Sequence, residues 1–126
     1  MNAGDIIYSV LAANAPVAAV VSARIYPIDV PLEVDLPAIF FDVSLGAAVD
    51  GSAPMSPAQI SVGCLAHTEA AAHSLAELVH TALNGLTHYS AGTWLHSMAL
   101  LGRAESRDEE QNTWGIVLAY GAGVTF

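Results

Sequence analysis

Lysine is absent from this chain, and arginine occurs only at Arg24, Arg103 and Arg107. Twelve carboxylates stand against these three cations, for a formal net charge of -9 at pH 7. Holding nucleic acid by its phosphates requires a clustered basic surface, so that class is excluded, and DNA passing close by is expected to be repelled. A lone cysteine, Cys64, excludes an intramolecular disulfide and leaves the redox compartment undefined. Charged residues are also scarce at 12%, about half the usual share. With 54% apolar residues, the surface must expose Ala, Val, Gly and Ser, and such a surface is suited to being covered by neighbours.

Long apolar runs are missing as well. The most apolar region, Ile6 to Ala23, is interrupted by Ser9, Asn14, Pro16 and Ser22, so it contains no clean run of about 18 to 20 residues that would span a bilayer as a helix. Near the N-terminus, Asp5 stands where a signal peptide would carry Lys or Arg, and the expectation is a chain made in the cytosol. At 126 residues the length fits one domain, 1–126, with room for a real core.

What is present reads as a short series of elements. Ile6, Ile7, Val10 and Leu11 recur at helical spacing and predict a helix from about Ala3 to Ala13. Asn14 is a good N-cap, and Pro16 falls in the following first turn, where a missing N–H costs little. Val17, Val20 and Val21 then form the apolar face of a short second helix. Pro27, Pro31 and Pro37 should deny a regular ladder to most of the next segment. From Ala38 the period changes to two, with Ile39, Phe41, Val43 and Leu45 on one side and Phe40, Asp42 and Ser44 on the other. A small-residue loop is expected from Gly46 to Pro57, followed by a strand through Ile60, Val62 and Cys64.

The clearest helix lies in "HTEAAAHSLAELVHTALNG", capped by Thr68 and stopped at Asn84-Gly85. Leu95 to Ala104 and Thr113 to Gly121 predict two further strands, joined by the charged turn "ESRDEEQN". This order gives an α+β domain: an antiparallel or mixed β-sheet of about four strands with helices packed on one face. The expected core is Ile39, Phe41, Val43, Ile60, Val62, Leu75, Leu78, Val79, Ile116 and Leu118.

Candidate chemistry is sparse. His73, Glu77 and His80 share one helix face and offer zinc ligands. That face lies opposite Leu75, Leu78, Val79 and Ala82, where a solvated stripe belongs, and the order is not H-E-x-x-H. His67, His88 and His96 lie among turn-like residues. Glu105, Asp108, Glu109 and Glu110 crowd together with Arg103 and Arg107, without EF-hand spacing or an internal glycine, and read as a solvated hairpin tip available for contacts. Cys64 falls on the inward side of its strand and reads as a small buried hydrophobe. No serine has G-x-S-x-G context, and no glycine loop suits a phosphate. No catalytic residue and no cofactor site is expected.

The stretches "IYSVLAAN", "APVAAVVSARIYP" and "LPAIFFDVS", then a strand entering the helix "EAAAHSLAELVHTAL" and a final hairpin, together resemble the tail terminator, or tail completion, family of long-tailed bacteriophages and prophages. The resemblance runs from about Ile6 to Gly121. It implies a non-enzymatic virion subunit, made in the host cytoplasm, that forms a homo-oligomeric ring, typically a hexamer. Such a ring caps the tail tube at the head-proximal end and joins it to the head-tail connector proteins. The implied partners are the tail tube protein and those connector proteins, with DNA only in passage through the lumen and no membrane. Arg24, Glu105, Arg107, Asp108, Glu109 and Glu110 become candidates for subunit or partner contact. Arg24 either pairs with a carboxylate of its own or a neighbouring subunit or caps the preceding helix. Two alternatives stay open: a head-tail adaptor or minor tail-tube protein, and a small metal-dependent enzyme using His73, Glu77 and His80.

Overall fold

The computed structural model describes residues 3–22, 24–27, 36–45, 55–90, 92–110 and 112–125. Helix α1 spans Ala3–Ala13 and buries Ile6, Ile7 and Leu11 on one stripe. Asn14 ends it and restarts the chain: its side-chain Oδ1 accepts from the Val17 N–H at 3.1 Å, capping helix α2, Ala15–Val21. Val17 and Val21 turn inward from α2. Helix α3, Glu69–Leu83, starts the same way, with Thr68 Oγ1 accepting from the Ala71 N–H at 3.1 Å. Glu69 sits at the positive end of its dipole. The helix gives way at Asn84 to Gly85, whose φ of 73° is a conformation that side chains disfavour.

Among the described residues, six strands form one mixed sheet in the order β1-β2-β3-β6-β5-β4. They are β1 Ile25–Pro27, β2 Ala38–Leu45, β3 Met55–Ala66, β4 His88–Ser90, β5 Thr93–Asp108 and β6 Thr113–Thr125. β1 pairs with β2 in parallel, and every other pairing is antiparallel. The expectation of about four strands is therefore corrected. Both missed strands are three residues long, too short to show a period. Pro27 is accommodated at the end of β1 opposite Phe41, as an edge strand permits. The expected charged turn is also shorter than "ESRDEEQN", because Glu105 to Asp108 continue β5. Pro57 belongs to β3, while 46–54 of the expected loop and Pro31 lie outside the described residues.

One continuous core joins the helices to a single sheet face. It contains Ile6, Leu11 and Val21 from the first two helices, Ile39 from β2, Ile60, Val62 and Cys64 from β3, and Ile116, Leu118 and Tyr120 from β6. α3 contributes Ala72, Leu75, Ala76, Val79 and Leu83. That stripe is rotated from the expected one, leaving Leu78 and Ala82 only partly buried at its flank. Phe41 and Val43 are likewise half-buried, since β2 lies near the sheet margin with only the short β1 beyond it. The rotation brings the opposite flank of α3, carrying His73 and His80, toward β5 and β6.

Candidate functional site

Cross-strand register decides which polar residues meet α3. On β5, Arg103 lies opposite Leu118 and Glu105 opposite Ile116, so both share the helix-covered face with those buried residues. Arg103 Nη1 donates to Glu77 Oε1 at 3.1 Å, and its Nη2 lies 2.7 Å from His73 Nδ1. His73 Nε2 in turn lies 3.2 Å from Glu105 Oε1 and 3.7 Å from Glu69 Oε1. A guanidinium only donates, so Nδ1 accepts from it and Nε2 carries the imidazole hydrogen toward the carboxylates. The result is an alternating chain, Glu77, Arg103, His73 and Glu105, that ties the helix to the edge of the sheet.

The triplet His73, Glu77 and His80 is not brought together as a metal site. Glu77 is held by Arg103, and His80 Nδ1 meets the Tyr120 hydroxyl at 2.9 Å. A different set converges instead: ligand atoms of Glu69, His73 and Glu105 lie within 4.8 Å of one another. Those residue types suit zinc, but a metal needs the lone pair of Nε2, and the Arg103 contact at Nδ1 leaves a hydrogen there. The arrangement is that of a hydrogen-bonded clamp built around the Arg103–Glu77 ion pair. Neither is the stripe simply solvated, because the charged side of α3 has its own partner strand.

Arg24 is placed at the corner between α2 and β1. Its Nε donates to the Pro37 carbonyl at 2.9 Å and its Nη2 to the Val20 carbonyl at 3.2 Å. It thereby satisfies an orphan carbonyl of the last helical turn and fastens the start of β2 to the same corner. At the far hairpin, Arg107 lies over the Trp114 ring at 4.9 Å and 3.7 Å from Glu109 Oε1. Asp108 Oδ1 accepts from the Glu110 N–H at 3.1 Å, tightening the turn. Glu105 therefore belongs to the helix clamp, and Arg107, Asp108, Glu109 and Glu110 to the tip. All three arginines are engaged within their own chain.

Burial pushes the Cys64 thiol up to about 12, with Arg103 pulling weakly the other way, so the cysteine is inert rather than nucleophilic. Tyr120 is pushed above the ordinary tyrosine range, first by burial and then by Cys64 and Glu77. Sequence reasoning missed an exposed aromatic row on β4 and β5. Tyr89 and Trp94 are cross-strand partners with ring centroids 4.9 Å apart, and His96 stacks on Trp94 at 5.8 Å. His96 Nε2 also meets Thr125 Oγ1 at 2.9 Å, so it is a strand residue and not part of a turn. The i, i+2 spacing of Trp94 and His96 was the available signal.

No family model and no curated protein matches this sequence. The fold, however, is shared with a chain from a solved structure titled "Virion of native gene transfer agent (GTA) particle". The two superpose with a TM-score of 0.81 at 21% identity, over 95% of this chain and 92% of that one.

Proposed function

We propose that this chain is a structural virion protein of a tailed, phage-like particle, and that it serves there as the tail terminator. In this reading a ring of copies, six as the family resemblance implies, caps the tail tube and receives the head-tail connector. The observation that carries the proposal is the shared fold with a component of a gene transfer agent virion, matched almost end to end in both chains. Two features support it. Among the described residues, the polar groups that cluster form a clamp and a capped corner, not a nucleophile with its base. The charge of -9, with every arginine engaged, suits a passage through which DNA moves without adhering.

The contact roles of Arg24, Glu105, Arg107, Asp108, Glu109 and Glu110 belong to the same proposal. The acidic hairpin tip faces the lumen or a basic neighbour, and the Arg24 corner sets the angle at which α1 and α2 meet the next subunit. The test is electron microscopy of particles assembled without this protein. Unjoined heads beside overlong or unfinished tails are expected. Tails of normal length beside unjoined heads would assign the chain to the head-tail adaptor instead, and intact particles would overturn both assignments.

A further inference from the structure

We infer that His73 is a proton-operated switch in the clamp between α3 and β5: taking up one proton passes the fastening from Arg103 to Glu105 and Glu69, and frees Arg103 from the imidazole.

The starting state is set by what each group can do. A guanidinium has no acceptor, so at 2.7 Å from Arg103 Nη2 the Nδ1 of His73 must offer its lone pair, and the ring hydrogen sits on Nε2. That hydrogen is turned to carboxylates, with Glu105 Oε1 at 3.2 Å and Glu69 Oε1 at 3.7 Å. Arg103 thus has two anchors on α3: the Glu77 carboxylate at 3.1 Å through Nη1, and the imidazole through Nη2. The second exists only while the ring is neutral.

A proton arriving at the ring has one place to go. It adds to Nδ1, the lone pair that Arg103 uses, and leaves two N–H groups facing each other at a separation suited to a hydrogen bond. Two cations with no acceptor between them repel, so Nη2 must withdraw. The Nε2 side responds in the opposite sense. Its contact with Glu105 becomes charge-assisted, and Glu69, four residues earlier on the same face of α3, adds to it. The helix stays fastened to β5 through a residue two positions nearer the hairpin tip, while Arg103 keeps Glu77 alone.

The surroundings leave this exchange to the groups already named. α3 supplies Glu69 and Glu77, and also His80, whose Nδ1 is occupied by the Tyr120 hydroxyl at 2.9 Å. β5 supplies Arg103 and Glu105, its other charged residues, Arg107 and Asp108, lying at the tip. β3 and β6 carry no charged residue, and their titratable groups on this face are the buried Cys64 and Tyr120. α1 and α2, which also pack against α3, bring Asp5 as their sole charge, and Tyr8. With side chains 38% exposed for His73 and 32% for Arg103, water and protons reach the pair. Arg24 and Arg107 have no histidine among the partners described above, so Arg103 is the arginine whose engagement follows the charge of an imidazole.

The test is nitrogen-15 NMR of the full chain from about pH 8 to about pH 5, the range in which histidines change charge. At the alkaline end the ring of His73 should carry its hydrogen on Nε2, and the Arg103 side chain should be ordered on the nanosecond scale. At the acid end both ring nitrogens should be protonated, and the order of the Arg103 side chain should be lost with the same midpoint as the His73 titration. His73→Gln cannot change its charge, so in that variant the order of Arg103 should be the same at both ends. A hydrogen found on Nδ1 at the alkaline end overturns the switch. So does an Arg103 side chain whose order is indifferent to pH in the natural chain, or one that responds equally in His73→Gln.

Discussion

Arg103 Nη2 lies 2.7 Å from His73 Nδ1, closer than either group comes to a carboxylate. Two side chains usually written as like charges are thus direct partners, and the contact requires a neutral imidazole that accepts at Nδ1. The flanking carboxylates, Glu77 on the arginine and Glu105 on the imidazole, complete an alternation of donor and acceptor between α3 and β5. This fastens the exposed second half of β5 to α3.

The clamp is exposed, so its worth is small. Arg103→Gln should lower stability by about 0.5 to 1 kcal/mol, and a double-mutant cycle with Glu77→Gln should give a coupling no larger than about 1 kcal/mol. Both effects should shrink in high salt. Thermal denaturation of the four proteins at low and high ionic strength checks this.

Removing the guanidinium also frees Nδ1 to carry the imidazole hydrogen, which turns Nε2 into a lone pair aimed between Glu69 and Glu105. Arg103→Gln should therefore bind zinc about tenfold or more tightly than the natural chain. Calorimetric titration with zinc chloride measures the difference. Equal affinities would show that the arginine does not govern this cluster.

Leu75 and Leu78 separate the two possible buried faces of α3. Leu75 is fully buried and Leu78 half-buried. Leu75→Ala should cost about 2 to 5 kcal/mol, and Leu78→Ala distinctly less. Melting curves for the two variants rank them, and the reverse order would place the stripe on the wrong side.

Those two leucines also illustrate what was legible in the sequence. The existence and limits of α1, α2 and α3 could be read because caps mark them: Asn14, Thr68 and Asn84-Gly85 act through their own backbone neighbourhood. The rotation of α3 could not, since Ala72 and Ala76 suit the inner face as well as Leu78 does, and small alanines leave the apolar stripe without a sharp border. β2 and β3 announced themselves through alternation, whereas three-residue β1 and β4 exist only because longer strands lie beside them. The clamp was hidden for a similar reason. Its helix half was visible as His73 and Glu77, but its partner Arg103 lies 26 residues from Glu77 in sequence, and only the β5–β6 register brings it to the same face.

Alkaline conditions should unfold the protein through its buried acids. Burial pushes the Cys64 thiol up to about 12 in the folded protein, from an ordinary 9.0. The native state thus holds its proton where the unfolded chain has lost it, and stability falls as pH rises above about 9. Tyr120 shifts in the same direction and steepens the fall. Below that range neither group contributes a slope. Urea unfolding between pH 7 and 11 should show this decline, with a shallower one in Cys64→Ala. At pH 8 the thiol should react with a disulfide reagent only after denaturant is added, and prompt reaction in the folded protein would contradict its burial.

The acidic tip carries the last prediction. Glu109 and Glu110 extend from the turn between β5 and β6, Arg107 is held by Trp114 and Glu109, and Asp108 braces the turn through its own acceptor oxygen. Replacing Asp108 by Asn keeps an acceptor for the Glu110 N–H, while Glu109→Ser and Glu110→Ser remove two exposed charges. The triple variant should melt within about 0.5 kcal/mol of the natural chain, because exposed charges of this kind contribute little to stability. If the tip faces the DNA passage or a basic neighbour, the same variant should yield fewer particles able to deliver DNA, since a repelling or complementary charge has been removed. Folding and particle yield are measured separately, by circular dichroism melting and by transfer of packaged DNA. A variant that folds and also delivers DNA at the natural rate would reduce the acidic tip to a solubilising turn, leaving the proposed ring to rest on the shared fold.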